Sequence, residues 1–273
     1  SPNYSFEWIP TELNRKDANL SDKGTILIFK SCNTLVQTLV DKLRAIHGVN
    51  VIEVELGTAY EHKSPNKYII GNSEEDYIKL MGDITLTNVS MVIHTFTLDT
   101  VEEDDIDALD RNLNIGVYSL FYFVKALVNN KITTNIQFIL VSDYVNYISK
   151  QVNVKPSNAT LFGLGRVIAM EYNNLKCKCI DIDKNIKVDD IINDVNFEIN
   201  TYQVAYRDGK RYVEEFSILD IGDVPTKQVC IKQDGVYIIT GGTGGIGLEI
   251  SKHIAKNSKT NIILINRTKM PQR

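Results

Sequence analysis

The run Thr240-Gly241-Gly242-Thr243-Gly244-Gly245-Ile246-Gly247 constrains the fold more than any other part of the chain. The apolar run Val236-Tyr237-Ile238-Ile239 leads into it, and Leu248-Glu249-Ile250-Ser251-Lys252-His253-Ile254-Ala255, a helix-like run, leads out. Strand, glycine turn and helix start form the setting in which G-x-G-x-x-G (Gly242, Gly244, Gly247) receives a dinucleotide. Glycines permit the tight turn and let backbone amides approach a pyrophosphate, and the positive end of the helix dipole faces that phosphate. The same run satisfies T-G-x-x-x-G-x-G through Thr240, Gly241, Gly245 and Gly247. A βαβ unit is therefore expected from Gly235, with its helix reaching about residue 256 and its second strand at 262–265.

The same alternation occupies the chain before it. Apolar runs at 25–29, 49–54, 91–94, 136–141 and 177–181 read as buried strands. Between them lie helical patterns at 35–46, 113–128 and 158–171, and one capped by Ser73, with Glu74, Glu75 and Asp76 in its first turn and Gly82 after its last. The first helix sets Leu35, Val36, Leu39, Val40 and Leu43 on one face and stops at Gly48. Strands alternating with helices imply βαβ units and a parallel sheet, so residues 20–185 already make a Rossmann-like fold. Its first turn, Lys30-Ser31-Cys32-Asn33-Thr34, has no glycine, and a pyrophosphate cannot approach such a backbone closely. This unit reads as structural.

Shorter signals fill the remainder. Tyr4, Phe6 and Trp8 alternate with Ser5 and Glu7, as in a strand with one buried face, and 14–23 is a polar connector. Asp208-Gly209 between two strand-like runs is a hairpin signal, and 217–233 has the composition of a linker. The expected fold is α/β: a Rossmann-like structural subdomain with a parallel sheet over 1–228, then the first βαβ unit of a second, truncated Rossmann fold over 229–273.

Composition excludes several classes. A hydrophobic fraction of 43% and a charged fraction of 23% are those of a globular chain. A net charge of −4 without a basic stripe argues against nucleic acid. No apolar run approaches the ~18 residues that span a bilayer, so no membrane partner is expected. The start, Ser1-Pro2-Asn3-Tyr4, has no signal-peptide pattern, which reads as cytoplasmic, and its lack of Met reads as an excised piece. Cys177-x-Cys179 lacks the gap of a zinc knuckle, and His47, His62, His94 and His253 are scattered, so no metal is assigned. The acidic run 102–107 reads as a solvated helix start. Tyr118, Phe121, Tyr122 and Phe123 read as core or a subdomain interface, and Tyr144 and Tyr147 as packing.

Several segments, in order, resemble the ketoreductase domain of modular polyketide synthases, a short-chain dehydrogenase/reductase in which a non-binding structural subdomain precedes the catalytic one. Gly163-Leu164-Gly165-Arg166-Val167-Ile168-Ala169-Met170-Glu171 is similar to that subdomain's G-L-G-R-x-x-A-x-E run. Ile180-Asp181-Ile182-Asp183 matches the acidic strand end that follows, and residues 203–213 match the hairpin before the linker. Residues 235–247 match the opening of the catalytic subdomain.

The resemblance implies reduction of a β-ketoacyl thioester to a β-hydroxyacyl thioester with NADPH. The implied partners are an acyl carrier protein, which presents the substrate on a phosphopantetheine arm, and neighbouring synthase domains. The loop 240–247 would hold the pyrophosphate. Asn266-Arg267 stands where NAD enzymes carry an acidic residue, and a guanidinium there suits a 2′-phosphate. The family's Tyr, Lys, Ser and Asn follow the second catalytic strand and have no counterpart in this chain, so no catalytic residue is assigned and the segment alone is expected to be inactive. Tyr206-x-x-x-Lys210 has the spacing of the catalytic pair, but Asp208-Gly209 divides it and it precedes the glycine loop. Two alternatives stay open: a non-catalytic scaffold within a multidomain synthase, and a free-standing dehydrogenase with an unrelated N-terminal domain.

Overall fold

The computed structural model describes residues 3–13, 24–84, 88–148, 154–196, 201–219 and 230–267. The expected connector at 14–23 and the stretch 220–229 of the expected linker lie outside the described residues. The chain divides into two compact units, 2–218 and 219–273.

The larger unit is built on one ten-stranded sheet. Its strands are β1 (Asn3–Pro10), β2 (Thr25–Lys30), β3 (Asn50–Leu56), β4 (Glu61–Ser64), β5 (Lys67–Ile70), β6 (Val89–His94), β7 (Ile136–Asp143), β8 (Leu175–Ile182), β9 (Gln203–Arg207) and β10 (Lys210–Leu219). They lie in the order β1-β10-β9-β8-β7-β6-β2-β3-β5-β4. From β5 to β9 every neighbouring pair is parallel, while β4 and β10 run against β5 and β9. The chain order reverses beside β2, which is the switch point of a doubly wound sheet.

Helices cover both faces: α1 (Thr34–Arg44), α2 (Glu74–Asp83), α3 (Ile106–Leu113), α4 (Ser119–Asn129), α5 (Pro156–Glu171) and α6 (Val188–Asn196). Successive residues of β2 feed opposite faces, so a strand buried on both sides reads as an unbroken apolar run. Leu27 and Phe29 join a core with Tyr77 of α2, Phe123 of α4 and Leu161 of α5. Ile26 and Ile28 join the other core, with Val36, Leu39, Val40 and Leu43 of α1 and Ile191 of α6. Each such side chain contributes about 1.5–3 kcal/mol on burial. The expected stripe of α1 is this buried face, with Leu35 packed at its margin.

Several local expectations need correction. Ser73 does cap α2, accepting from the Asp76 amide, but Gly82 lies inside the last turn and not beyond it. The helix expected at 113–128 begins at Ile106, where Asp105 accepts from the Ala108 amide. It passes through one π turn at Asn114–Tyr118 before becoming α4. The extra residue in that turn shifts the helical phase, which hid the first segment from a 3.6-residue pattern. Ser119 Oγ sits 2.8 Å from the carbonyls of both Ile115 and Gly116, groups the π turn displaces.

Strand β1 forms as expected, but its aromatic face is not buried. Tyr4 is 56% and Phe6 53% exposed, because β1 ends the sheet with β10 as its neighbour. Both rings lean instead on Phe216 of β10. Tyr147 is also exposed, whereas Tyr144 packs its ring under the Arg207 guanidinium. Of the helical aromatics, Phe123 is core while Tyr118 and Phe121 are largely exposed. Cys177 and Cys179 share a core face, and burial pushes the Cys177 thiol up to about 12. The hairpin turn is as expected: Asp208 and Gly209 both take positive φ, 51° and 72°, the geometry of a type I′ turn.

The smaller unit is a single βαβ: β11 (Val236–Thr240), α7 (Gly245–Asn257) and β12 (Asn261–Ile265), with the two strands parallel.

Candidate nucleotide-binding loop

In the smaller unit, Thr240 pairs with Ile265, so both strands finish at one edge. The loop after Thr240 and the dipeptide Asn266-Arg267 therefore leave the sheet side by side, a strand spacing of about 5 Å apart. Asn266 and Arg267 are both exposed. Gly241 turns the chain with a φ of +68°, and its amide donates to the Ile265 carbonyl at 2.8 Å. The Gly242 amide reaches the same carbonyl at 3.3 Å, and the Gly244 amide donates to the Gly241 carbonyl at 2.9 Å. Thr243 is half-buried between them.

The glycines do different jobs. A Cβ on Gly242 would stand 2.7 Å from Leu264 Cδ2 and 2.8 Å from the Ile239 carbonyl oxygen. A Cβ on Gly247 would stand 2.5 Å from the Gly241 oxygen. These two let the first turn of α7 press against the loop. Gly245 is different: a Cβ there meets nothing within 4 Å. Packing does not require glycine at 245. What its missing side chain leaves is open space in front of a helix start.

That helix start is bare. Gly244 occupies the N-cap of α7 with no side-chain acceptor, and no acidic residue follows in the first turn. The first intrahelical bond runs from the Leu248 amide to the Gly244 carbonyl. Gly245, Ile246 and Gly247 therefore start a helix whose leading amides have no acceptor within it. Ile246, in this turn, is 81% exposed, and Ser251 Oγ donates to the Gly247 carbonyl one turn on. By contrast α1, α2 and α3 are capped by Asn33, Ser73 and Asp105. The uncapped amides, the positive helix end and the cleared space at 245 fit a diphosphate.

The corresponding turn of the larger unit has no such vacancy. The Ser31 amide donates to Thr95 Oγ1 at 3.0 Å, the Cys32 amide to Asp99 Oδ2 at 2.7 Å, and the Leu35 amide to Asn33 Oδ1 at 2.9 Å. Sequence reading found the missing glycines here but not Asp99, whose contact spans 67 residues. Tyr206 and Lys210 stand on neighbouring antiparallel strands and not one helical turn apart. Tyr206 is buried, its hydroxyl donating to Asp194. Among the described residues no group of three or more His, Cys, Asp or Glu could hold a metal ion, and no helix is long and apolar enough to cross a membrane.

Comparison with known proteins adds an independent line. A family model described as beta-ketoacyl synthase-like, N-terminal, matches residues 24–199, and a model described as KR domain matches residues 235–273. A component of the phenolphthiocerol/phthiocerol polyketide synthase of Mycobacterium tuberculosis (strain CDC 1551 / Oshkosh) is 28% identical over 124 residues, 44% of this chain. The chain spans 8% of that relative's length. Among solved structures, one containing the adenylation, ketoreductase and pseudo Asub domains of a keto acid-selecting NRPS module superposes with a TM-score of 0.84 at 23% identity, over 97% of this chain and 23% of that one. An N-terminal ketoreductase from the macrolactin assembly line superposes with a TM-score of 0.75, also at 23% identity, over 98% of this chain and 54% of that one.

Proposed function

The chain belongs to the beta-ketoacyl synthase-like, N-terminal family over residues 24–199 and matches the KR domain model over residues 235–273, and from that premise we propose that it is part of a polyketide synthase ketoreductase domain whose parent protein is an NADPH-dependent β-ketoacyl reductase. The substrate would be a β-ketoacyl thioester carried by an acyl carrier protein on phosphopantetheine, and the product the β-hydroxyacyl thioester. Residues 1–228 would serve as the structural subdomain and 229–273 as the opening of the catalytic one.

The observation that carries this reading is the open space at Gly245 in front of uncapped amides. NADPH, when bound, supplies the hydride. This chain's own residues would bind and orient it. The amides of Gly245, Ile246 and Gly247, with Thr243 and Gly244 at the turn, would receive the diphosphate. Gly241 and Gly242 shape the loop, and Thr240 ends the strand that presents it. Asn266 and Arg267, beside the loop, would meet the adenosine ribose, Arg267 pairing with its 2′-phosphate. The groups that move the proton are proposed to lie in the parent protein outside these residues.

Two substitutions in the parent protein test the assignment by fluorescence titration. Gly245→Asp places a carboxylate in the cleared space with no steric conflict, so the fold stays intact while NADPH affinity falls about tenfold or more. Arg267→Ala weakens NADPH by a similar factor but leaves NADH nearly unchanged. Unaltered NADPH binding in Gly245→Asp would reject the loop assignment, and equal losses for both nucleotides in Arg267→Ala would reject the 2′-phosphate role.

A further inference from the structure

The larger unit keeps the architecture of a nucleotide fold, and its strand order places a crevice at the carboxyl ends of β2 and β6. A cleft of about 430 Å³ survives at that edge, bordered by Asn33, Thr34, Leu98, Tyr144, Lys184 and Val188. That volume lies within the range of ligand pockets. At the same carboxyl edge the amides of Cys32 and Ser157 are taken by carboxylates of the segment from Asp99 to Asp105.

This short acidic segment delivers three carboxylates to backbone amides at two helix starts and in the turn before another. Asp99 Oδ2 accepts from the Cys32 amide, in the turn before α1, at 2.7 Å. Glu103 Oε1 accepts from the Ser157 amide, in the first turn of α5, at 3.2 Å. Asp105 Oδ1 accepts from the Ala108 amide of α3 at 2.7 Å. The third is an ordinary N-cap within one helix. The first two are long-range: they join segments 67 and 54 residues apart. They also reach the two helices that follow β2 and β7, whose starts face the crevice. At α5 the N-cap Lys155 gives no side-chain acceptor of its own, so Glu103 fills a vacancy. Asp99 is held in place by its own element: it closes the 3-10 turn at Phe96–Asp99, whose Thr97 Oγ1 donates to the Val141 carbonyl at 3.2 Å.

We infer that Asp99, with Glu103 as its second arm, is a built-in anion that occupies the place a bound diphosphate would take in a nucleotide-binding fold. The larger unit is on this reading a permanently liganded fold whose ligand is its own acidic segment. The acidic run is then more than a solvated helix start.

The test restores the anion from outside. In the full 273-residue chain, Asp99→Ala removes the carboxylate, and sodium formate supplies the same group untethered. Thermal midpoints are compared in 0.2 M sodium formate and 0.2 M sodium chloride, and the Cys32 amide is followed by nitrogen-15 NMR. Asp99→Ala should lower the midpoint by about 3–6 °C in chloride and recover at least half of that in formate, with the Cys32 amide resonance moving back toward its wild-type position. Formate and chloride should be indistinguishable for the wild type and for Asp104→Ala, an acidic neighbour used as the control. Glu103→Ala is read in the same way at the Ser157 amide. The inference is overturned if Asp99→Ala melts like the wild type, or if formate raises the midpoint of wild type and variant equally. Should Asp99→Ala fail to fold, Asp99→Asn decides: it keeps an acceptor but loses the charge. Faster hydrogen exchange at Cys32 supports the inference, and unchanged exchange overturns it.

Discussion

His94 shows how much one side chain can report about this fold. It ends β6 fully buried, with Nε2 2.6 Å from Ser119 Oγ and its ring packed against Phe29 and Phe96. Burial holds its imidazole down at about 3, far below the usual histidine value. The folded state therefore keeps His94 neutral while the unfolded chain takes up a proton as pH falls below about 6.5. Its contribution is present above that pH and is lost progressively as pH falls toward 3. Urea unfolding at pH 7 and pH 5 should show the wild type losing about 2 kcal/mol more than His94→Gln over that interval. Equal losses would place the acid sensitivity elsewhere. At this scale the sequence was uneven. Gly242, Gly244 and Gly247 were legible because a spacing rule covers them. Asp99, Glu103 and the His94–Ser119 pair were not, because each acts on a residue 25 or more positions away.

At the scale of elements, α5 carries two glycines two residues apart with opposite surroundings. A Cβ on Gly165 would lie 2.5 Å from Leu140 Cδ1 and 3.0 Å from the Tyr202 hydroxyl, where the helix presses on the sheet. A Cβ on Gly163 meets nothing within 4 Å on the exposed side. Gly163→Ala should stabilise the chain by about 0.5–1 kcal/mol through helix propensity alone. Gly165→Ala should destabilise it by about 1–3 kcal/mol through overpacking. Denaturant midpoints at constant slope separate the two, and a matching sign for both would refute the packing argument. Elements with a strong apolar period, such as β2, α1 and β7, could be read directly from the chain. The β4–β5 hairpin and α6 were missed, since β4 is exposed along its whole length and α6 is rich in Asp and Asn. The π turn broke the phase that would have joined α3 to α4.

The whole molecule is two unequal units. The larger has two complete cores on either side of its sheet. The smaller has a sheet of two strands, in which Val236 and Ile238 are each 63% exposed and Ile263 is 47% exposed. A two-stranded sheet with one helix falls short of the size at which burial outweighs chain entropy. Residues 2–218 expressed alone should therefore give native-like far-ultraviolet circular dichroism and one cooperative urea transition. Residues 219–273 alone should give the spectrum of a largely unfolded chain at 25 °C. A cooperative transition from the short fragment would show that it stabilises itself. That the chain holds two strand–turn–helix patterns, of which only the second turns on glycines, was legible from spacing alone. That the β9–β10 hairpin and β1 extend the sheet beyond β8 was not, since β1 reaches β10 from the far end of the chain.

That last pairing has a consequence in time. β1 leaves a ribosome well before its neighbour β10, which is completed only at Leu219. At the usual pace of translation, about 5–20 residues per second, some 10–40 s separate the two. Throughout that interval Tyr4 and Phe6 have no Phe216 to lean on, and a holding chaperone would find them uncovered on the nascent chain.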